Sequence, residues 1–341
     1  MASIPQGAIR FNTDSQKLEF YAQDQWFVMM SENVGLGTGG DTGAGARGVF
    51  FSGYTTISPS TYNRIDYINI ASTGHAIDFG DTPDPKWGVA SCSSSTRGVI
   101  GGGYPVPAPA SNNNFIEFIT ISSTGDAQDF GDLTYTTRAA GSCSSSTRGI
   151  FTGGYDGAPA QYNDIDYITI ASTGDAKDFG DATFSGSYKR GCSTATRGVF
   201  GGGNTPTFIN TIEFITIATL GDAKDFGDLT VIRDSAAACS NSTRGVFGGG
   251  STPTIKNDID FIIISTLGNA VNFGDLTQSR HAPAAVSSPT RGVWGGGVAP
   301  NVGVNTIDYI TILTQGNAVD FGDLTIPRGY MGSCSNGHGG L

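Results

Sequence analysis

Thr243–Gly250 reads TRGVFGGG, a short β-rich run stopped by three glycines, and five close variants of it stand elsewhere in the chain. Its arginine recurs at Arg47, Arg97, Arg148, Arg197, Arg244 and Arg291, a spacing of 47 to 51 residues. About 30 residues after each arginine comes Phe-Gly-Asp, beginning at Phe79, Phe130, Phe179, Phe226, Phe273 and Phe321. Between the two lies Asn-x-Ile-[Asp/Glu]-[Tyr/Phe]-Ile, headed by Asn63, Asn114, Asn163, Asn210, Asn257 and Asn305. A run of small residues such as AGSCSSS (Ala140–Ser146) precedes the arginine. A period of this length is the signature of propeller blades.

Each mark reads as a strand. We label them A (the small-residue run), B (RGVFGGG), C (IDYITI) and D (DFGDL). Strand C alternates apolar and polar residues with period two. The C–D link is S-T-G-D-A or a variant, and Gly followed by Asp or Asn between strands marks a tight turn with positive φ. Four antiparallel strands repeated six times predict an all-β, six-bladed β-propeller. Strand A, built from Ala, Gly, Ser and Cys, suits the crowded centre. The first repeat lacks a strand A before Arg47, and the missing copy stands at the C-terminus as Gly329–Gly337, GYMGSCSNG. The C-terminal strand is therefore expected to complete the first blade, hiding the edges of an open sheet. The expected organisation is a small N-terminal β module over 1–34, a Gly-rich linker over 35–46 and the propeller over 47–341.

Composition excludes several classes. The formal net charge is −11 with no basic stripe, which argues against nucleic acid and against anionic membrane surfaces. No run of 18 apolar residues occurs, so no membrane insertion is expected. The first residues, MASIPQGAIRF, lack the basic and apolar regions of a signal peptide, so synthesis in a cytoplasm is expected.

Residue types that carry chemistry repeat with the blades. Cys92, Cys143, Cys192, Cys239 and Cys334 take one place in strand A, with Ser287 read as the sixth. Equivalent positions in a ring are too far apart for a metal cage, so the cysteines read as small core residues. The Phe-Gly-Asp aspartates and the motif arginines also occur in every blade, and an active site breaks symmetry. They read as pairing or turn-capping groups that lock blades together, and the six asparagines as turn fixtures. Gly35–Gly40, GLGTGG, has no strand–helix context and reads as a linker rather than a phosphate loop. His75, His281 and His338 fall at unrelated places, and no hydrolase or metalloprotease motif is present. No catalytic residue, metal or cofactor is expected.

The repeats differ at their loops. The A–B and C–D links are nearly uniform, whereas the B–C and D–A links vary. In a four-stranded blade the variable pair emerges on one face, and loops freed from packing are where function concentrates. Aromatics gather there in blades one to four: Tyr54, Tyr62, Trp87, Tyr104, Tyr135, Tyr155, Tyr162, Phe184 and Tyr188. Rings with a polar tip suit recognition, sugars included. The tyrosines and Trp87 are the receptor-binding candidates.

Two resemblances follow. A small inner strand, a strand ending in double glycine, an alternating strand and a closing aromatic turn resemble the kelch or galactose-oxidase-like propellers, with Phe of Phe-Gly-Asp replacing the usual Trp. That family holds both enzymes and binding modules, so it implies no activity. Gly7–Met29 resembles a short module of bacteriophage tail fibres and appendages, through Ile9, Arg10, Phe11, Asn12, Thr13, Leu18, Glu19, Tyr21 and Trp26. The blades, too, look like structural proteins of cyanobacterial phages. These likenesses imply a non-enzymatic virion protein, attached to other tail or capsid proteins through Ile9, Phe11, Phe20, Tyr21 and Trp26. The propeller would then face a host glycan or protein, with a homo-oligomer left open. The alternatives are a purely structural capsid or baseplate decoration protein and a kelch-like polysaccharide-acting enzyme.

Overall fold

A computed structural model describes residues 8–12, 17–22, 25–28, 46–56, 60–106, 112–157 and 160–341. The expected linker, 35–46, lies outside them except for Ala46. The N-terminal strands β1 (Ile9–Asn12), β2 (Lys17–Ala22) and β3 (Gln25–Val28) form an antiparallel sheet in the order β1-β2-β3. Ile9 stands opposite Phe20, Phe11 opposite Leu18, and Tyr21 opposite Trp26.

The rest is a six-bladed propeller of four-stranded antiparallel sheets. Strands A of blades two to six are Ala90–Ser93, Gly141–Ser144, Arg190–Ser193, Ala237–Ser240 and Ala284–Ser287. The first blade is Gly332–Ser335, Arg47–Tyr54, Thr61–Asn69 and Ile77–Asp81, so the C-terminal strand supplies its innermost member. Each strand A packs against the strands A of its two neighbours, around a full circle.

The glycine-ended motif now has a physical reading. The first of its closing glycines, replaced by Thr152 in blade three, is a socket for the ring on the next blade's strand B. A Cβ on Gly201 would stand 2.9 Å from Phe247, one on Gly295 2.8 Å from Phe50, and one on Gly248 2.9 Å from Trp294 Nε1. Blade one carries Phe51 at the socket position, and there the neighbour carries the smaller Ile100 in the same core cluster. The next two glycines take positive φ, as in Gly249 (70°) and Gly250 (103°), and turn the chain off the sheet. The apolar clusters lie between blades, not within them: Phe50, Ile68 and Ile70 of blade one pack with Val286, Val293 and Phe321 of blade six.

Polar groups repeat this logic. Each motif arginine lies over the strand C ring of its own blade, Arg47 on Tyr67 at 4.7 Å and Arg97 on Phe118 at 4.6 Å. Each also donates from Nη1 to a carbonyl of the next blade: Arg47 to Ile121 at 3.0 Å, Arg244 to Ile312 at 3.0 Å and Arg291 to Ile70 at 3.0 Å. The Phe-Gly-Asp aspartates act mainly through their backbone. Asp81 N donates to Asp126 Oδ1 in the next blade's C–D turn at 3.0 Å, and Asp323 N to His75 Nδ1 at 3.2 Å. Asn63 and Asn210 accept at their backbone oxygens from Thr82 N and Leu229 N.

Two sequence readings are corrected. Strand C does not alternate strictly: a bulge falls between Ile65 and Asp66 and recurs at the same place in the other blades, so both residues are buried. The sixth partner of the cysteines is Val286, which stands opposite Val293 as Cys239 stands opposite Val246. Ser287 belongs one position further on. The five thiols are free and buried, and burial pushes them up, Cys192 to about 12.

The strand C carboxylates are the polar core. Asp66, Asp260 and Asp308 pair with Arg328, Arg233 and Arg280, all with fully buried guanidinium groups. Glu117 pairs with Lys86 at 2.5 Å and Glu213 with Lys189 at 2.7 Å. The preceding blade adds a threonine, as Thr277 Oγ1 donates to Asp308 Oδ1 at 2.6 Å. Blade three differs: Asp166 receives Thr134 N–H and Oγ–H, and no cation faces it among the described residues.

Asp260→Asn leaves Arg233 buried without a counter-charge and should cost about 3–5 kcal/mol. Asp166→Asn weakens only hydrogen bonds and should cost about 1 kcal/mol. Denaturant midpoints of the two variants check the difference, and equal losses would contradict this assignment. Removing Arg328–Leu341 takes away a whole inner strand and a buried pair, and the truncated chain should show no cooperative melt at the parent's temperature.

Candidate binding site at the mouth of the channel

The mouth of the central channel is built by the D–A links. Two residues before each strand A stands a residue with positive φ: Gly88 (71°), Ala139 (57°), Tyr188 (59°), Ser235 (50°), Ala282 (49°) and Tyr330 (55°). This conformation aims the backbone at the neighbouring blade. Gly88 N donates to Tyr330 O at 2.9 Å, Ala139 N to Gly88 O at 2.7 Å, Tyr188 N to Ala139 O at 2.7 Å, and Tyr330 N to Ala282 O at 2.9 Å. The preceding link residue pairs with the B–C loop, as Arg138 with Tyr155, His281 with Val298 and Trp87 with Tyr104. Both variable loops therefore share one face.

At the centre of that face the rings pack into one aromatic cluster, termed the bowl. Tyr330 lies 5.4 Å from Trp87, 6.4 Å from Tyr54, 6.2 Å from Tyr188 and 5.7 Å from His281. Trp87 lies 5.7 Å from Tyr104, and the Tyr155 and Tyr188 hydroxyls are 3.3 Å apart. All these rings are half-buried. The Arg138 guanidinium lies over Tyr155, Tyr104 and Trp87 at 4.4, 4.6 and 4.9 Å. Arg190 enters the channel below, donating from Nε to Ala236 O at 2.9 Å. Asp234 accepts from Ser251 Oγ at 2.8 Å, and burial raises its carboxyl above the usual range and lowers His281. Burial also raises Tyr330 to about 12, so its hydroxyl stays protonated.

The structure thus brings Tyr54, Trp87, Tyr104, Tyr155 and Tyr188 together and leaves the other three candidates outside the bowl. Tyr135 and Tyr162 pack against each other in a tilted pair at 4.8 Å, and Tyr135 donates its hydroxyl to Gly153 O and Asp164 O. Tyr62 pairs through its backbone with Gly53. Phe184 covers Lys189. Tyr330, Arg138, Arg190 and His281 are additions. The equivalence of Tyr330 with Tyr188, each two residues before a strand A, was the available signal. Of the attachment candidates, Ile9, Phe11, Phe20, Tyr21 and Trp26 all lie on β1–β3, and Tyr21 is half-buried. Gly35–Gly40 lies outside the described residues.

The opposite end of the channel is filled by the C-terminal tail. The His338 Nε2–H donates to Ser93 O at 3.1 Å, Gly340 N donates to His338 Nδ1 at 3.0 Å, and Gly339 N reaches across to Ser240 O at 3.0 Å. A Cβ on Gly339 or Gly340 would run into the carbonyls of Asn241 or Ser144, so only glycine fits. The C–D turns on this side expose Leu220, Leu267 and Leu313. Among the described residues no group of His, Cys, Asp or Glu is arranged to hold a metal ion. Neither known protein families nor characterised proteins show a match to this chain.

Burial depresses His338 to about 4. The unfolded histidine titrates near 6.5, so the unfolded chain binds more protons between these values. The contribution of His338 is complete above about pH 6.5 and is lost as pH falls toward 4, with a slope of at most about 1.4 kcal/mol per pH unit. His281, lowered in the same direction, adds to it. The stability of the parent minus that of His338→Gln, measured across pH 4–7, should grow as pH rises, a difference from which the opposing effect of the raised Asp234 carboxyl cancels.

Proposed function

We propose that the protein is a non-enzymatic virion appendage of the tail-fibre kind, whose propeller recognises a host surface through the aromatic bowl. The observation that carries this reading is the bowl itself. It departs from six-fold symmetry in a ring whose other polar groups mostly repeat, and it stands where the loops diverge. The likeness of Gly7–Met29 to appendage modules supports attachment to other virion proteins through the N-terminal sheet. Double glycines closing strand B support kinship with kelch-type propellers. Half-buried tyrosines and a tryptophan gathered on one face are the side chains that recognition surfaces favour. A glycosidase would need two facing carboxyl groups, and Asp234 is the one carboxylate among the bowl residues described above.

The test is adsorption of the purified protein to host cells. Trp87→Ala with Tyr104→Ala should weaken it at least tenfold while leaving the melting temperature within a few degrees. Leu267→Ser on the opposite face should leave adsorption unchanged. Retained adsorption by a folded double variant, with loss in Leu267→Ser, would place recognition on the wrong face.

A further inference from the structure

We propose that the bowl takes a carboxylate-bearing glycan, with the carboxylate on the edge of the Arg138 guanidinium and the sugar against Trp87, Tyr104 and Tyr155. This rests on reading the bowl as the recognition surface and names the chemistry it selects.

The first observation is where the ring spends its cations. Four residues before strand A stand Lys86, Arg233, Arg280 and Arg328 in blades two, five, six and one, each buried against its strand C carboxylate. In blade three that place holds Thr137, whose hydroxyl donates to Gly153 O at 3.2 Å. The cation comes one residue later, as Arg138, and Asp166 is left to Thr134. The one-residue shift changes which way the side chain leaves the link. Arg138 lies among the bowl rings instead of in the blade. Blade four also departs: Lys189 takes Glu213, and the adjacent Arg190 points into the channel mouth. Arg138 is thus freed from the duty that the cations of the other links perform, and Arg190 is an added cation at the first place of strand A, where the other blades carry Ala90, Gly141, Ala237, Ala284 and Gly332.

The second observation is the state of Arg138. Three rings flank its guanidinium, and its side chain makes no hydrogen bond or ion pair among the described residues. Nε is buried without a partner. A guanidinium stacked on its faces keeps its edge for a planar acceptor, and a carboxylate meets two of its N–H groups at once. Asp234, the bowl's own carboxylate, is engaged by Ser251 and sits on the Arg190 side. The bowl is therefore locally positive on a chain of net charge −11. At physiological salt, charges beyond about 8 Å are largely screened, so the local sign governs which anion settles there. Aromatic walls around that charge suit the apolar face of a sugar ring. A bare anion would gain nothing from them.

Calorimetry on the full chain tests the proposal, with galacturonate oligomers, glucuronate and N-acetylneuraminate as probes. The methyl ester of each acid and inorganic phosphate serve as controls. At least one acid should bind saturably, its ester at least tenfold more weakly, and phosphate more weakly still. Arg138→Gln should abolish binding and Arg138→Lys should retain part of it. Should Arg138→Gln fail to fold, the acid–ester comparison on the parent decides alone. Equal binding of acid and ester, binding of none of the acids, or undiminished binding by folded Arg138→Gln would each overturn the proposal. So would adsorption to cells that disappears when surface proteins are digested, which indicates a protein receptor. If Trp87→Ala with Tyr104→Ala still weakens adsorption at least tenfold in those cases, the bowl remains the recognition surface and only the carboxylate is wrong.

Discussion

A propeller blade cannot bury its own faces, so everything in this molecule depends on the ring being shut. The shutting is visible in a belt of serines on the inner strands. Ser93 Oγ–H donates to Ser335 O, Ser144 to Ser93, Ser193 to Ser144, Ser240 to Ser193, Ser287 to Ser240 and Ser335 to Ser287, over 2.6–2.9 Å. The chain of donors returns to its start. Ser335 lies on the C-terminal strand, so belt and first blade are completed by the same four residues. Hydrogen bonds of this kind are individually modest. Their weight comes from the apolar clusters between blades, which exist only when both neighbours are present.

Closure explains the division of labour among polar residues. A group used to join blade to blade must appear nearly six times, as the motif arginines, the serine belt and the link residues with positive φ do. Departures from the repeat are correspondingly informative. Some are repairs of packing, such as Phe51 beside Ile100. Some are substitutions of one donor or acceptor for another, such as His75 in the place of a turn aspartate or asparagine. What no repair accounts for is concentrated at one mouth of the channel, in Tyr188, Tyr330, Trp87 and Arg138.

Most of the ring was legible in the amino-acid sequence, because its causes are local and repeated: glycine stops, turn residues, small inner strands and a displaced copy of strand A at Gly329–Gly337. The strand C carboxylates were not legible. Asp66 and its equivalents sit in an alternating pattern as solvent-facing residues, and only the bulge beside them turns them inward to cations some 30 residues or a whole chain away. The cysteine register slipped by one at Val286, since Ala-Ala-Val-Ser-Ser offers a serine in either frame. The aromatics of blades one to four were visible as a group, but nothing in the sequence separates those that meet at the centre from Tyr135 and Tyr162. The tail escaped notice because His338–Leu341 lies beyond the last repeat mark, although Gly339 and Gly340 are dictated by the carbonyls they pass.

The backbone at the mouth also shows how a ring of fixed geometry can carry an individual surface. The residue two before strand A adopts positive φ in every blade and joins its neighbour through main-chain atoms in most of them. That conformation costs a non-glycine residue on the order of 1–2 kcal/mol, and the surrounding ring holds it in place. Because the joint is made by the backbone, the side chain is left undetermined. Alanine stands there in blades three and six, serine in blade five, glycine in blade two, and tyrosine in blades four and one. The fold thus supplies six equivalent pegs around one opening, and two of them hang a ring over it. With the far end of the channel stopped by His338–Gly340, this opening is the approach to the axis that its side chains leave partly exposed, and its character can change without a change to the ring beneath.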